Sequence, residues 1–171
     1  IVAVGARYYR EPVCTFTEDN EMAAHQVVHA LMERGFTRIG FAGSPLFSAA
    51  FSERYFGFRQ SCYRAGISVQ TQDEWLDLLP GSDNEETESA VLRHLERQKE
   101  LPEAFFCGND LLAVTLAKVF RRNGVRVPED ISLVGVDFNQ LGQMAEPRLT
   151  TVDIGCSRQV AAAVEQRIAF I

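Results

Sequence analysis

The sequence predicts an α/β fold on a doubly wound parallel sheet, and two observations carry the prediction. Short runs rich in β-branched and aromatic residues alternate with longer stretches whose apolar residues recur at helical spacing, the pattern of strand-helix-strand units. Glycine, proline, asparagine and aspartate stand at the junctions, where turns and helix ends need them. With 171 residues and 46% hydrophobic content, the chain can bury a sizeable core.

Ile1–Val4 reads as the first strand and Val13–Thr17 as the second. Asp19 and Asn20 are helix-capping types, and Met22, Ala23, Val27, Ala30 and Leu31 follow at helical spacing until Gly35 ends the helix. Arg38–Ala42 is then a buried strand. A turn at Gly43-Ser44-Pro45 leads to a helix from about Glu53 to Arg64, closed by Ala65-Gly66. A strand is expected near Trp75–Leu79. After the turn Pro80-Gly81-Ser82-Asp83, a third helix is marked by Ala90, Val91, Leu92 and Leu95. Glu103–Cys107 forms the next strand. Asn109-Asp110 opens a fourth helix through Leu112, Leu116, Val119 and Phe120, and Asn123-Gly124 closes it. Pro128 leads into Ile131–Val136, the most strand-like run of the chain. Beyond Asp137 the pattern loosens until an expected strand at Leu149–Ile154 and a last helix from about Ser157 to Phe170.

Composition excludes several functions. A net charge of −6 argues against this segment gripping nucleic acid, because binding a phosphate backbone needs clustered Lys and Arg. No apolar run approaches the roughly 20 residues that span a bilayer, and Ile1–Gly5 is too short and too soon charged to read as a signal peptide. Cys14, Cys62, Cys107 and Cys156 are far apart and form no CxxC pair, so they read as reduced core thiols. His25 and His29 have a spacing that could bind a metal, but no third ligand is evident and a helix face is the simpler reading. Asp83, Glu85, Glu86 and Glu88 suit the positive end of the third helix dipole. With no GxSxG elbow, P-loop or GxGxxG, hydrolase, nucleotidase and dehydrogenase readings have no anchor.

Open parallel sheets bind ligands beyond the carboxyl ends of their strands, which singles out Gly43–Ser48, Gly108–Asp110 and Asp137–Asn139. The amide of Asn109 can offer a donor and an acceptor to a ligand, or can cap the helix it precedes. Asp137 can accept bonds from neighbouring hydroxyls, or begin a turn. Arg54 is expected in the first turn of its helix, where a cation is poorly placed. All three fall on one expected sheet edge, where they would converge on a polyhydroxylated or heterocyclic ligand.

Five segments then resemble, in order and spacing, the hallmarks of the LacI/GalR transcriptional regulators. They are Arg38-Ile39-Gly40-Phe41-Ala42-Gly43, Arg54-Tyr55-Phe56-Gly57-Phe58, residues 102–110, residues 127–137 and Pro147-Arg148-Leu149-Thr150-Thr151-Val152. The stretch Pro128-Glu129-Asp130-Ile131-Ser132 ending in Gly135-Val136-Asp137, together with residues 147–152, separates this family from secreted sugar-binding proteins of the same fold. The resemblance implies a two-lobed fold of the periplasmic-binding-protein type I class. Residues 1–17 would be a remnant of the N-terminal lobe, 18–150 the C-terminal lobe, and 151–171 the return crossing with part of an N-terminal-lobe helix. It further implies a small-molecule effector, a sugar or sugar derivative, held between the lobes by Arg54, Asn109 and Asp137. Phe138 stands where an acidic or amide residue is common, and is expected to stack on a ligand ring or pack in the lobe core. Phe36 replaces a usual histidine, and Gly5-Ala6 stands where an acidic residue often ends the first strand. The resemblance implies no catalysis, cofactor or metal. It also implies a cytoplasmic homodimer that meets operator DNA only through a helix-turn-helix headpiece outside these residues, with no membrane contact. The alternative is the solute-binding protein of a sugar transport system.

Overall fold

The structure, a computed structural model, describes residues 2–5, 14–81, 84–146 and 148–169. Ile1, Ala6, Val13, Ser82, Asp83, Pro147 and Phe170, and the side chains of Cys14 and Cys156, lie outside what it describes. Strands β1 (Val2–Val4) and β2 (Cys14–Phe16) pair in parallel as a small sheet of their own. Helix α1 (Asn20–Glu33) then leads to the larger sheet, built from β3 (Ile39–Ala42), β4 (Glu74–Trp75), β5 (Ala104–Cys107), β6 (Ser132–Val136) and β7 (Thr150–Val152). Its order is β4-β3-β5-β6-β7 and every described pair is parallel. The connecting helices are α2 (Ala49–Arg64), α3 (Asn84–Arg97), α4 (Asp110–Arg122) and the short α5 (Gln140–Met144), and α6 (Cys156–Ala169) packs back on β1 and β2.

Strand alternation divides the core in two. Ile39, Phe41, Ala104 and Phe106 face α1 and α2, meeting Ala24, Val27, Val28, Leu31, Phe58 and Cys62. Ala42, Trp75, Phe105, Cys107 and Leu133 face α3 and α4, meeting Ala90, Val91, Leu112, Leu116, Val119 and Phe120. With helices on both faces, the strands must be apolar along their whole length, and β3 and β5 are buried at every position. The thiols of Cys62 and Cys107 are free and buried within this core. Desolvation pushes the Cys62 thiol up to about 12 and raises that of Cys107 as well. Thiol-directed alkylation at pH 8 should leave both unmodified until denaturant is added, which intact mass spectrometry can read.

Several boundaries differ from the sequence reading, each for a local reason. Helix α2 starts at Ala49, four residues before the expected Glu53, because Ser48 caps it by accepting from the Phe51 amide at 3.3 Å. Arg54 therefore lies in the second turn and not, as expected, in the first, so it is not a cation misplaced at the positive end of the helix. The strand expected at Trp75–Leu79 stops at Trp75, as Leu76-Asp77 turns away and Leu78 accepts from the Ser44 amide in the β3–α2 loop instead. Leu92, expected on the buried stripe of α3, is 38% exposed, whereas Thr87, Ala90 and Val91 are buried. Glu85 and Glu86 do occupy the first turn of α3, but Glu88 bridges to α4 through Lys118 and Arg122. Helix α5 had no sequence signal beyond Asn139, whose side chain caps it at the Gly142 amide.

Candidate functional site

In this strand order the chain runs from β3 out to β4, then returns to place β5 on the other side of β3. The switch point between β3 and β5 opens a crevice at their carboxyl ends. Both strands break off there into glycines, and the Gly108 amide donates to the Ala42 carbonyl at 2.8 Å, which holds the two loops together.

Arg54 reaches into this crevice from α2 and is only 4% exposed. Its Nε donates to Oδ1 of Asn20 at 2.8 Å and its Nη1 to the Gly108 carbonyl at 2.7 Å. Nη2 stands 3.4 Å from Oδ1 of Asp137, and the guanidinium carbon lies 6.0 Å from the centre of the Phe51 ring. A buried cation must be compensated on every side, and this one is compensated by an amide, a carbonyl and a carboxylate.

Asp137 follows β6 and remains 30% exposed at the side chain. Its carboxyl is pushed up to about 6, mainly by burial; Arg54 opposes the shift, and the negative charges of Asp110 and Glu18 add to it. The backbone is strained here, with φ of 120° at Asp137 and 53° at Phe138. Left-handed conformations at consecutive non-glycine residues collect at ligand sites, where surrounding bonds enforce them. Those bonds come from Asp110, the first residue of α4 and fully buried. Its carboxylate accepts from the Asn139 amide at 2.9 Å and from the Thr151 hydroxyl, and Thr151 Oγ accepts in turn from the Phe138 amide at 3.2 Å. Burial raises the Asp110 carboxyl, while the bonds from Thr151 and Asn139 and the charge of Arg54 pull it back.

Asn109 spends its Oδ1 on capping α4, accepting from the Leu112 amide at 3.0 Å, and no bond engages its Nδ2 among the described residues. The cap and the ligand role are thus compatible: one end of the amide holds the helix and the other stays available. Phe138 belongs to neither core cluster and is 43% exposed.

Among the described residues no group of three His, Cys, Asp or Glu is placed to hold a metal. His25 lies 3.4 Å from the Ser61 hydroxyl and His29 3.6 Å from Glu33, so the pair faces helix neighbours. Among the described residues no helix is long and apolar enough to cross a membrane. A groove of about 900 Å³ runs elsewhere, along β7 between α1 and α4, and none of Arg54, Asn109, Asp137 or Phe138 lines it. Volume is the weaker guide here, since the buried cation and strained loop lie at the strand ends.

Residues 28–171 match the periplasmic binding protein-like domain. The structure of a LacI-family transcriptional regulator from Sanguibacter keddieii is similar over 98% of this chain and 62% of its own, with a TM-score of 0.83 and 29% identity. The chain belongs to the LacI/GalR family of periplasmic-binding-protein-like domains. One curated relative, the HTH-type transcriptional repressor CytR of Escherichia coli, is 34% identical over 134 residues, or 78% of this chain and 38% of the relative. The transcriptional regulator CelR, solved as a cellobiose complex, matches 99% of this chain and 53% of its own with a TM-score of 0.78 and 25% identity. The chain spans 38% to 43% of the length of the curated relatives it matches.

Within this LacI/GalR domain the structure pairs Arg54 with Asp137 directly, sets Asn109 beside the carbonyl that Arg54 engages, and leaves Phe138 exposed next to Asp137. The sequence reading missed Asn20, Asp110 and Thr151. Asp110 was within reach, since it adjoins Asn109 at a strand end; Asn20 and Thr151 matter through partners 34 and 41 residues away.

The approach of α2 makes Gly108 sensitive. A Cβ there would lie 2.3 Å from Cε1 of Phe51, a ring that is itself buried. Gly108→Ala should displace that ring and the carbonyl that anchors Arg54, lowering stability by about 1–3 kcal/mol in a urea titration.

Proposed function

We propose that this domain senses a polyhydroxylated small molecule, a sugar or sugar derivative, in a cleft walled on this side by Arg54, Asn109, Asp137 and Phe138. The observation that carries the reading is the pairing of buried Arg54 with Asp137 beside the switch point, the aspartate set on a strained loop and open to solvent. A carboxylate beside a guanidinium accepts hydrogen bonds from vicinal hydroxyls, and an exposed aromatic ring gives the apolar face of a sugar ring a surface to pack on. The cellobiose held by CelR supports that chemistry.

Residues 18–150 are proposed as the C-terminal lobe, with residues 1–17 and 151–171 belonging to the other lobe and the crossing into it. The effector favours one lobe orientation over another and so changes operator affinity in a cytoplasmic homodimer whose DNA contact lies in a headpiece outside this chain. Such couplings are typically about 1–3 kcal/mol, and the step needs no catalysis. Repressor relatives support the regulator over the solute-binding component of a sugar transporter.

Calorimetry with ribose, galactose, cellobiose and cytidine tests the reading. At least one compound should bind the wild type, and Arg54→Ala and Asp137→Ala should each weaken it by about 30-fold or more. Unchanged affinity in both variants would sink the assignment.

A further inference from the structure

Asp19 caps α1, its Oδ1 accepting from the Met22 amide at 2.9 Å, so the side chain of Asn20 is not needed at the helix start. Asn20 is nevertheless 97% withdrawn from solvent and bonded at both ends: Oδ1 accepts from Arg54 Nε and Nδ2 donates to Oε2 of Glu53, each at 2.8 Å. Burying a primary amide on a helix that already has its cap is an outlay that local structure does not explain.

We infer that Asn20 is a positioning residue for the cleft: it fixes the plane of the Arg54 guanidinium so that Nη2 faces Asp137, and ties that pair to the segment joining β2 to α1. The inference rests on the cleft assigned above. A guanidinium is a rigid planar fork, so bonds from two of its nitrogens to fixed acceptors set its plane and decide where the remaining nitrogen points. Asn20 and the Gly108 carbonyl supply those bonds. Without Asn20, the guanidinium keeps only the Gly108 carbonyl and the longer contact with Asp137, and can swing about the first of them. The chemistry also selects asparagine, because the residue must accept from a cation and donate to a carboxylate at once. Aspartate would set two carboxylates against each other, and leucine would leave Arg54 and Glu53 without that bond.

Asn20 is also the first residue after Thr17–Asp19, the stretch by which the chain leaves the small sheet for the larger one. Glu18 in that stretch already contributes to the field at Asp137. A compound that draws on Asp137 or Arg54 therefore acts on the inter-sheet segment through one buried side chain.

The test uses the intact protein labelled with 15N-arginine and follows hydrogen exchange of the Arg54 Nε proton, which requires no effector. Asn20→Ala should speed that exchange about ten- to a hundredfold, the loss of one bond to a charged group. The paired variant Asn20→Asp with Glu53→Gln keeps the acceptor for Arg54 and rebuilds the bond between residues 20 and 53 with donor and acceptor exchanged, and should restore slow exchange. A purely structural role predicts no such rescue. Should Asn20→Ala fail to give a dispersed spectrum, Asn20→Ser, whose shorter side chain draws its oxygen back from Arg54 but remains polar, is read in its place. Exchange unchanged in Asn20→Ala or Asn20→Ser, or unrestored in the paired variant, overturns the inference. Cellobiose and cytidine titrations on the same samples form a separate arm. If exchange responds and neither these compounds nor ribose and galactose bind, the positioning role stands and the sugar reading is the one that fails.

Discussion

Asp137→Asn should make the protein more stable at pH 7 while costing it effector affinity. The carboxyl of Asp137 has its pKa raised to about 6 in the fold, chiefly by burial. An unfolded aspartate titrates near about 3.9, so between those two values the native state binds more protons than the unfolded state. Stability therefore falls as pH rises from about 4 to about 6, and above that range the full cost of a buried charge is present. That cost is of order 3 kcal/mol, and asparagine removes it while keeping the shape. Urea titrations should show the variant ahead by that amount at pH 7 and level with the wild type near pH 4. Some pH dependence should survive in the variant, because the Asp110 carboxyl is raised in the same direction. Equal stability at pH 7 would show that Arg54 compensates the charge completely. The affinity loss, about 30-fold or more, follows from replacing a charged acceptor by an amide beside Arg54. Together the two results would mark Asp137 as a residue kept for binding at the expense of folding.

Asp73→Ala should have the largest effect on stability and none on the cleft. Asp73 is fully buried and accepts from Arg38 Nε at 2.7 Å, Arg38 Nη2 at 2.9 Å and Gln98 Nε2 at 2.6 Å. Gln98 in turn accepts from the indole of Trp75 at 3.1 Å, so one carboxylate joins the approach to β3, the start of β4 and the end of α3. Removing one partner of such a pair leaves a cation and an amide with poor replacements, which typically costs about 3–5 kcal/mol. For a chain of this size the melting temperature should fall by roughly 10 °C. Arg38 and Asp73 precede their strands, so the network lies at the amino edge of the sheet, opposite the crevice. Effector affinity measured on the folded variant should match the wild type, and a matching loss of affinity would refute that separation of the two edges.

Much of this was legible in the residues. Short β-branched and aromatic runs and helical spacing place β3, β5, β6, α1 and α4 within a residue or two, because their burial is dictated by side chains local to each element. The carboxyl-edge rule, applied with no partner known, reaches Asn109 and Asp137 correctly as strand-end residues, since a strand end is a local property. It reached Arg54 by a faulty route. The side chain stands out because it is buried and triply bonded, whereas its supposed misplacement in a first helical turn vanished once Ser48 proved to be the cap.

By itself, then, the sequence determined the alternation of elements, the apolar stripes that oblige two layers of helices to cover a parallel sheet, and the set of loops at its carboxyl edge. Only the tertiary structure decided which groups on that edge interact. Asn20, Arg54, Asp110, Asp137 and Thr151 are separated by tens of residues, and their pairing depends on strand order and on where each helix begins. Hydrogen bonds and charges act over a few ångströms in space, and spacing along the chain carries no record of them until the switch point between β3 and β5 brings their loops together.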